Sequence, residues 1–327
     1  MIFDLHCDTI WKIRNLQKEG QNASLADFPA LQLNEEKMKR ADYLVQCFAM
    51  WIHAKNRDPY NLCKEVIEVY EQEIGKCAHI EKAYTYEDII KNKEAGKISS
   101  ILTLEDAAPI GADLSRLYEF YRLGVRMICL TWNYENALAF PNRHHLLPDG
   151  KPDDRTPNTE TGLTELGKEA VKKMNKLGIV VDVSHLSDKG FYDVLTVTDK
   201  PIVASHSNAR ACAPHIRNLT DDMLYKLAEN GGITGMNYAT YFLHEDKAIG
   251  RNTVPQLVRH IQYIKDKIGI DHIALGSDFD GISPDLELNS ADKLPLLVAA
   301  LSKEGFRDSE IEKITSENAL RVFRACL

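Results

Sequence analysis

Residues 179–210 decide the fold: they open with IVVDVSHLSD (179–188) and close with KPIVASHSNAR (200–210). Two β-branched apolar runs, 179–183 and 201–204, each end in a Ser-His pair and are separated by a short helical segment. Such runs favour strands, so His185 and His206 are predicted to lie where a strand becomes a loop. In an α/β barrel this end of the strands carries the chemistry. Two imidazoles at neighbouring strand ends are therefore expected to face one metal ion.

The remainder of the chain alternates between strand and helix. Apolar runs predict eight strands, at residues 2–5, 44–52, 98–104, 125–130, 179–183, 201–204, 232–237 and 272–276. Helical spacing predicts helices at residues 9–18, 63–74, 112–123, 164–177, 221–229 and 254–268. Eight strands with helices between most of them predict a parallel (β/α)8 TIM barrel, with residues 1–327 as one domain.

Two regions depart from this alternation. Residues 136–161 are rich in Asn, Pro, Asp and His and are expected to form a long loop over the active-site face. Its His144 and His145 are expected to be exposed; the alternative is that one of them supplies an imidazole to the site from above. From about residue 291 the tail is predicted to be helical, including residues 316–324 with Ser316 as N-cap.

Composition limits the classes of partner. The 327 residues are 44% hydrophobic and 27% charged, which is typical of a globular protein. The net charge of −8 argues against a nucleic-acid partner, and no apolar run reaches the roughly 18–20 residues of a membrane span. Seven cysteines without paired spacing do not indicate a disulfide framework. With a strand predicted from residue 2 and no basic leader before it, the expected location is the cytoplasm.

The ends of the other predicted strands carry further candidates. Residues two apart on an extended segment face the same side, so His6 and Asp8 converge after the first strand and suit a zinc-type ion. The alternative is a hydrogen-bonded histidine followed by a helix-capping aspartate. At the end of the third strand, Glu105 could bridge two metals or, like Asp106, cap the next helix.

The eighth predicted strand runs into two more acids. Asp278 comes first out of the barrel and is the candidate proton shuttle, whereas Asp280 before a glycine is equally typical of a turn. Histidines and carboxylates at the ends of strands one, three, five, six and eight fit a two-metal hydrolase better than a structural role.

Taken together, these stretches resemble the renal (membrane) dipeptidase family of the amidohydrolase superfamily. The matching segments are DLHCDT (4–9), TLED (103–106), DVSHLSD (182–188), ASHSNAR (204–210), IRNLTDD (216–222) and LGSDFDG (275–281). The resemblance implies a (β/α)8 barrel of the metal-dependent hydrolase type. It also implies two zinc ions per chain, with one bound by His6 and Asp8, the other by His185 and His206, and Glu105 bridging them.

The resemblance implies roles for the substrate-facing residues as well. Asp278 corresponds to the family's acid/base aspartate, and Arg217 to the arginine that holds the substrate carboxylate. The alternative for Arg217 is a surface arginine paired with Asp221 or Asp222. One departure stands out: Trp132, followed by Asn133 in the expected substrate site, replaces a histidine of better-known members. An indole offers a donor and a stacking surface without a titratable proton, so substrate range and rate are expected to differ.

The expected function is therefore a zinc-dependent dipeptidase that cleaves small dipeptides, including ones with a D-residue at the C-terminal side, through a metal-bridging hydroxide. Two alternatives remain open. One is another amidohydrolase reaction on the same metals, such as hydrolysis of an N-acyl amino acid or a lactone. The other is a catalytically silent homologue that binds a small molecule. Dimers are common in the family, so the resemblance also allows a homodimer.

Overall fold

A computed structural model describes residues 1–246, 250–251 and 253–327. Its single sheet has nine strands, all paired in parallel. The strands are β1 (Ile2–Asp4), β2 (Tyr43–Trp51), β3 (Ile80–Lys82), β4 (Ile98–Glu105), β5 (Val125–Cys129), β6 (Val180–Asp182), β7 (Val203–Ala204), β8 (Ile233–Met236) and β9 (Ile273–Leu275).

Eight of these strands close into a barrel, because β2 pairs both with β1 and with β4. The order around the barrel is β1-β2-β4-β5-β6-β7-β8-β9, and β9 returns to β1. Strand β3 stands outside this ring and pairs with the first half of β4, opposite Ile98, whereas β5 pairs with the second half from Leu102 onward. The (β/α)8 prediction is confirmed.

Thirteen α-helices surround the barrel in the part of the chain that the structure describes. They are α1 (Thr9–Lys18), α2 (Glu35–Arg40), α3 (Pro59–Lys76), α4 (Tyr86–Glu94), α5 (Ser115–Arg122), α6 (Glu165–Leu177), α7 (Asp188–Val197), α8 (Asp221–Glu229), α9 (Thr240–Leu243), α10 (Thr253–Ile268), α11 (Leu294–Lys303), α12 (Asp308–Glu312) and α13 (Asn318–Cys326). None of the helices within the described ranges combines the length and apolar character that a bilayer span requires.

The core has two parts that follow from the sequence pattern. Apolar side chains such as Phe3, Val45 and Ile101 fill the inside of the barrel, while the outer faces of the strands pack against the helices. Helix α6 ends at Gly178, whose left-handed φ of 77° is the usual helix stop. Parallel strands buried on both faces explain the continuous apolar runs that the sequence shows.

Two features of the fold differ from the sequence-based prediction. Strand β3 and helix α4 were not predicted, because β3 is only three residues long and offers one buried apolar side chain, Ile80. Ser316 does not cap the last helix: it lies in a π-helical turn, Lys313–Glu317, that continues into α13. Its hydroxyl donates instead to the Glu312 carbonyl at 3.3 Å, as serines within helices commonly do.

Candidate active site

A cavity of about 600 Å³ opens at the C-terminal ends of the barrel strands. Seven of the nine residues predicted for the site line it: Asp8, Glu105, Trp132, Asn133, His185, Arg217 and Asp278. The other two, His6 and His206, are each 1% exposed and contact the cavity-lining Glu105. The structure therefore brings all nine together, as expected for a barrel whose strand ends carry the function.

The Glu105 carboxylate lies at the centre of the histidines. Its Oε2 atom is 3.5 Å from Nε2 of His6. Its Oε1 atom is 3.0 Å from Nε2 of His185 and 3.6 Å from Nε2 of His206. The two oxygens thus face different sets of potential ligands, because one is turned toward β1 and the other toward β6 and β7.

The hydrogen bonds of His185 and His206 define the tautomers of these two rings. Nδ1 of His185 lies 3.1 Å from the acceptor Oδ1 of Asn133, so this nitrogen carries the proton. Ser205 donates its only hydroxyl proton to Asp182 at 2.5 Å, so Nδ1 of His206 must donate to Ser205 Oγ at 2.7 Å. Both Nε2 atoms therefore carry lone pairs, and they lie 3.0 Å apart. Fixing the tautomer through the other ring nitrogen is typical of metal-binding histidines.

Several polar atoms of this cluster are buried without a hydrogen-bond partner: His6 Nε2, Asp8 Oδ1 and Glu105 Oε2. Unsatisfied buried polar atoms are rare and costly. The facing Nε2 lone pairs of His185 and His206 add a repulsion that a cation between them would remove. Imidazole nitrogens and carboxylate oxygens are the donors that zinc accepts in hydrolases, so the residues present fit such an ion.

The negative charges of the carboxylates in the cluster disfavour the ionised form of one another. Burial raises the pKa of Glu105 to about 8, and the negative charges of Asp8 and Asp278 add to this effect. Burial disfavours the His6 imidazolium, but the charges of Glu105 and Asp8 outweigh it and raise the pKa of His6 well above its usual value. Burial lowers the pKa of His185 and of His206 well below the usual value and keeps both rings neutral. Neutral imidazoles among acidic groups are a good environment for a divalent cation.

The helix-capping alternatives are not observed: no side chain caps the start of α1 or of α5. Asp8 occupies the N-cap position of α1 but makes no side-chain cap hydrogen bond, and its Oδ2 lies 3.9 Å from His6 Nε2. Asp106 is the turn residue after β4, where it accepts from Ala108 N at 2.8 Å and from Asn136 Nδ2 at 2.7 Å.

Asp278 is held at the edge of the cluster. Its Oδ2 accepts from Asn237 Nδ2 at 2.9 Å, and its Oδ1 lies 3.8 Å from His6 Nε2. Burial raises the pKa of Asp278 to about 6; the His6 charge opposes this shift and the Asp8 charge adds to it. A carboxyl group with a pKa near neutrality can both accept and deliver a proton.

Left-handed backbone is concentrated at this end of the barrel. Five described residues other than glycine have positive φ, and four of them follow the strand ends: Asp106 (85°), His185 (66°), Asp278 (63°) and Asp280 (67°). Such φ values are unfavourable for L-residues and accumulate at functional sites. They turn the His185 and Asp278 side chains out of the strand direction, and so toward the cluster.

Asp280 and Gly281 hold the β9 end against α1. The left-handed φ of Asp280 fits the turn interpretation. Its buried carboxylate accepts from Thr9 Oγ1 at 2.7 Å and from Lys12 Nζ at 2.9 Å, and so ties this turn to α1. A Cβ atom on Gly281 would lie 2.0 Å from Asp8 Oδ2 and 2.7 Å from Asp278 Oδ1. Only glycine permits the two carboxylates to approach the backbone this closely.

Arg217 is buried rather than on the surface. Its guanidinium lies 3.3 Å from Ser207 Oγ and 3.4 Å from the His206 carbonyl, and its Nε has no partner. The alternative of a pair with Asp221 or Asp222 is wrong: Asp221 binds Lys267 and Tyr263, and Asp222 binds Tyr192. Among the described residues no carboxylate lies within ion-pair distance of Arg217. A buried guanidinium that lines a cavity is a suitable site for a carboxylate ligand.

Trp132 and Asn133 follow β5 with different surroundings. Trp132 faces the cavity, with its ring centroid 6.3 Å from that of His185. Asn133, predicted as a substrate contact, lines the cavity and also orients the His185 ring through the hydrogen bond described above. His144 and His145 are exposed and do not line the cavity, as expected. From the same loop Arg143 and Asp154 line it and pair at 2.7 Å.

Sequence reasoning missed several residues around the cavity: Trp11, Trp51, His215, Tyr241 and Phe242. Trp51 ends an apolar run that was predicted as a strand, so its place at the mouth could have been deduced. Trp11 lies one turn beyond Asp8, on a helix whose start was predicted. Tyr241 and Phe242 belong to α9, a four-residue helix without a periodic signal.

Comparison with known proteins agrees with this geometry. The model of the family described as membrane dipeptidase, peptidase family M19, matches residues 1–326. The chain belongs to the membrane dipeptidase family. Dipeptidase tcpJ of Claviceps purpurea is 32% identical over 281 residues, which cover 83% of this chain and 60% of that relative.

Two solved structures of relatives extend over the whole fold. A metallopeptidase from Rhodobacter sphaeroides, liganded with a phosphinate mimic of the dipeptide L-Ala-D-Ala, is 27% identical with a TM-score of 0.87, and the alignment covers 100% of this chain and 99% of that one. Dipeptidase AC, a metallopeptidase of family M19, is 28% identical with a TM-score of 0.90, and the alignment covers 99% and 98%. Membership of this family implies a metal cofactor, and the converging side chains are candidates for its ligands.

Proposed function

We propose that this protein is a zinc-dependent dipeptidase that binds two zinc ions per chain. Its substrates are small dipeptides, including ones with a D-residue at the C-terminal side. The observation that carries the proposal is the position of Glu105, whose two oxygens face His6 on one side and the His185–His206 pair on the other. The solved relative with a phosphinate dipeptide mimic supports the substrate class.

In this proposal five residues hold the metals. His6 and Asp8 would hold one ion, His185 and His206 would hold the other, and Glu105 would be shared between the two. When bound, two zinc ions supply a hydroxide at neutral pH and polarise the scissile carbonyl. Asn133 and Ser205 hold the outer imidazoles in the tautomer that directs Nε2 to the metal.

Arg217 and Asp278 act on the substrate. The Arg217 guanidinium, buried and without a carboxylate partner among the described residues, binds the free C-terminal carboxylate and so limits how far the scissile bond lies from the chain end. Asp278, positioned by Asn237, takes the proton of the attacking water and delivers it to the leaving amine. Trp132 contributes no proton, because an indole does not titrate.

The test combines metal content with a substrate panel. The purified protein is assayed for zinc per chain and for turnover of L-Ala-Gly, L-Ala-D-Ala, N-acetyl-L-alanine and a simple lactone, before and after chelation and zinc replacement. We expect about two zinc ions per chain, and dipeptide hydrolysis that chelation abolishes and zinc restores. Preference for N-acetyl-L-alanine or the lactone would favour another amidohydrolase reaction. Ligand binding without turnover would indicate a silent homologue.

The role of Arg217 is tested with Arg217→Ala. Because the guanidinium is expected to bind a carboxylate, the variant should raise KM for L-Ala-Gly but leave the poor hydrolysis of L-Ala-glycinamide unchanged. Arg122→Ala, an exposed arginine at the end of α5, is the matched control and should behave as the unaltered protein. An equal loss on both substrates would contradict a carboxylate clamp.

The cytoplasmic location and the homodimer both stay predictions.

A further inference from the structure

The three tryptophans of the chain, Trp11, Trp51 and Trp132, all line the one cavity at the strand ends. Trp51 stands between the other two. Its ring centroid is 5.0 Å from that of Trp11 at 73°, and 5.0 Å from that of Trp132 at 84°. These are favourable edge-to-face contacts, so the three rings form a continuous surface, here called the tryptophan wall.

The tryptophan wall and Arg217 lie on different arcs of the barrel mouth. Trp11 follows β1, Trp51 ends β2 and Trp132 follows β5, and these strands are consecutive in the barrel apart from the intervening β4. Arg217 belongs to the connection between β7 and β8, where Phe242 packs 5.5 Å from its guanidinium. The predicted metal ligands extend over the arc from the wall to the arginine: His6 and Asp8 follow β1, Glu105 ends β4, His185 follows β6 and His206 follows β7.

All three wall residues are half-buried. Each ring therefore keeps a face or edge open to the cavity, whereas a purely structural aromatic cluster would bury its rings. The cavity volume of about 600 Å³ lies within the range for ligands of drug size. Two alanines would fill only part of it, so the wall leaves room for a larger side chain.

We infer that the tryptophan wall is the subsite for the N-terminal residue of the substrate, and that the enzyme prefers dipeptides whose N-terminal side chain is large and apolar, aromatic above all. The inference rests on the proposed function. With the C-terminal carboxylate on Arg217 and the scissile carbonyl at the metal cluster, the N-terminal residue must extend away from the arginine. Consecutive Cα atoms are about 3.8 Å apart, so the N-terminal residue lies across the scissile bond from the Arg217 side, and we infer that its side chain occupies the part of the cavity that the wall lines.

Apolar contact with the wall would then make kcat/KM depend on the size of the N-terminal side chain. Removing water from an aromatic side chain and from the indole faces is favourable in proportion to the apolar area buried. A single methylene in an apolar subsite changes kcat/KM about 10-fold or more, so a benzyl group against three indoles should do at least as much. We expect the C-terminal residue, held through its carboxylate at Arg217, to contact the wall less.

Two series of dipeptides test this inference. In the first, the N-terminal residue varies over Ala, Leu, Phe and Trp with glycine at the C-terminal side; in the second, alanine is kept at the N-terminal side and the C-terminal residue varies. We expect kcat/KM to rise at least about 10-fold from L-Ala-Gly to L-Phe-Gly, with a smaller spread in the second series. Equal values across the first series, or a preference for alanine, would overturn the inference.

Variants of the wall assign the preference to named residues. Trp132→Ala should reduce the spread of the first series to a few-fold, whatever its effect on the absolute rates, and should not widen the spread of the second series. Trp132→Phe, which keeps a ring, should retain most of the preference. Tyr118→Ala removes an aromatic ring that is 57% exposed on α5 and outside the cavity, so it should change neither series. A preference that persists in Trp132→Ala and in Trp51→Ala would contradict the role of the wall.

Binding is measured independently of turnover. Because every tryptophan lies in the wall, tryptophan fluorescence, excited selectively over the 13 tyrosines, reports this subsite alone. The probes are phosphinate analogues of L-Phe-Gly and L-Ala-Gly added to zinc-loaded protein. The phenylalanine analogue should bind about 10-fold more tightly and change the emission more strongly; equal affinities would overturn the inference. If zinc-loaded protein hydrolyses no dipeptide, the proposed function fails and the inference with it, whereas hydrolysis without the preference removes the inference alone.

Discussion

Buried histidines in two regions of this protein differ in the hydrogen bonds that their ring nitrogens make. His260, on α10, has both nitrogens bonded: Nδ1 accepts from Ala209 N at 3.1 Å, and Nε2 donates to the Leu243 carbonyl at 3.0 Å. At the barrel mouth, His185 and His206 use only Nδ1 in this way and direct unprotonated Nε2 atoms toward each other and toward Glu105. A histidine that serves packing satisfies both nitrogens, whereas a ligand histidine keeps one lone pair free.

The largest expected effect comes from Glu105, on which the mouth histidines converge. Glu105→Gln keeps the shape but replaces one carboxylate oxygen with an amide that carries no lone pair for a metal. We expect zinc content to fall by at least one ion per chain and kcat/KM to fall at least about 10³-fold, beyond the 10–100-fold loss typical of residues that only orient ligands. Metal analysis and dipeptide assays measure both quantities.

The matched control for this variant is Glu165→Gln, since that side chain is 88% exposed at the start of α6. It should keep its metal and its activity. Full zinc content and normal turnover in Glu105→Gln would mean that the converging side chains do not bind the metal. The free Nε2 atoms of His185 and His206 would then not distinguish ligand histidines from His260.

Asp278→Asn should have the next largest effect. The carboxamide can still accept from Asn237, so the local structure is expected to survive, but it cannot take up a proton. We expect kcat to fall about 10²-fold or more while zinc content is unchanged. Asp27→Asn, an exposed aspartate, is the control. Loss of zinc in the Asp278 variant would make this residue a ligand instead of the proton carrier.

The smallest effect concerns His260 and stability. Burial lowers the pKa of His260 to about 4, so below the usual value of about 6.5 the unfolded chain takes up a proton before the folded protein does. The contribution of His260 is therefore complete above pH 6.5 and is lost as the pH falls toward 4, by up to about 3 kcal/mol. Urea unfolding between pH 7 and pH 4 measures this loss.

The comparison variant is His260→Gln, which keeps one donor and one acceptor but does not titrate. It should lose less stability on acidification than the unaltered protein, although it starts from a lower value at pH 7. If the free energy of unfolding falls equally with pH in the two proteins, folding does not lower the pKa of His260.

The sequence predicted that His6, Asp8, Glu105, His185 and His206 would converge, because their positions follow from strand periodicity. His6 and Asp8 are two apart on an extended segment, and Glu105, His185 and His206 each end an apolar run, so topology alone brings them to one end of the barrel. The same reasoning predicted the helices on long periodic segments, such as α8 and α10, to within a residue or two.

Other features depend on contacts between distant parts of the chain and left no local signal. The hydrogen bond from His185 to Asn133 joins two strand ends that are 52 residues apart, and α9 is too short for a periodic pattern. The burial of Arg217 likewise depends on how the connection after β7 folds back over the mouth. Ser316 was assigned by its capping tendency, but the helix before it continues through a π-helical turn.

The positive φ angles at Asp106, His185, Asp278 and Asp280 have a consequence for how this protein can evolve. Each strained residue destabilises the folded state by about 1 kcal/mol or more. Strain at the strand ends therefore offsets part of the stability that the barrel core provides. Selection for heat resistance alone would find easy gains by placing glycine at these positions, and two of those gains would remove His185 and Asp278. At these two positions heat resistance conflicts with turnover, whereas stabilising substitutions in the helical layer leave the strand ends unchanged.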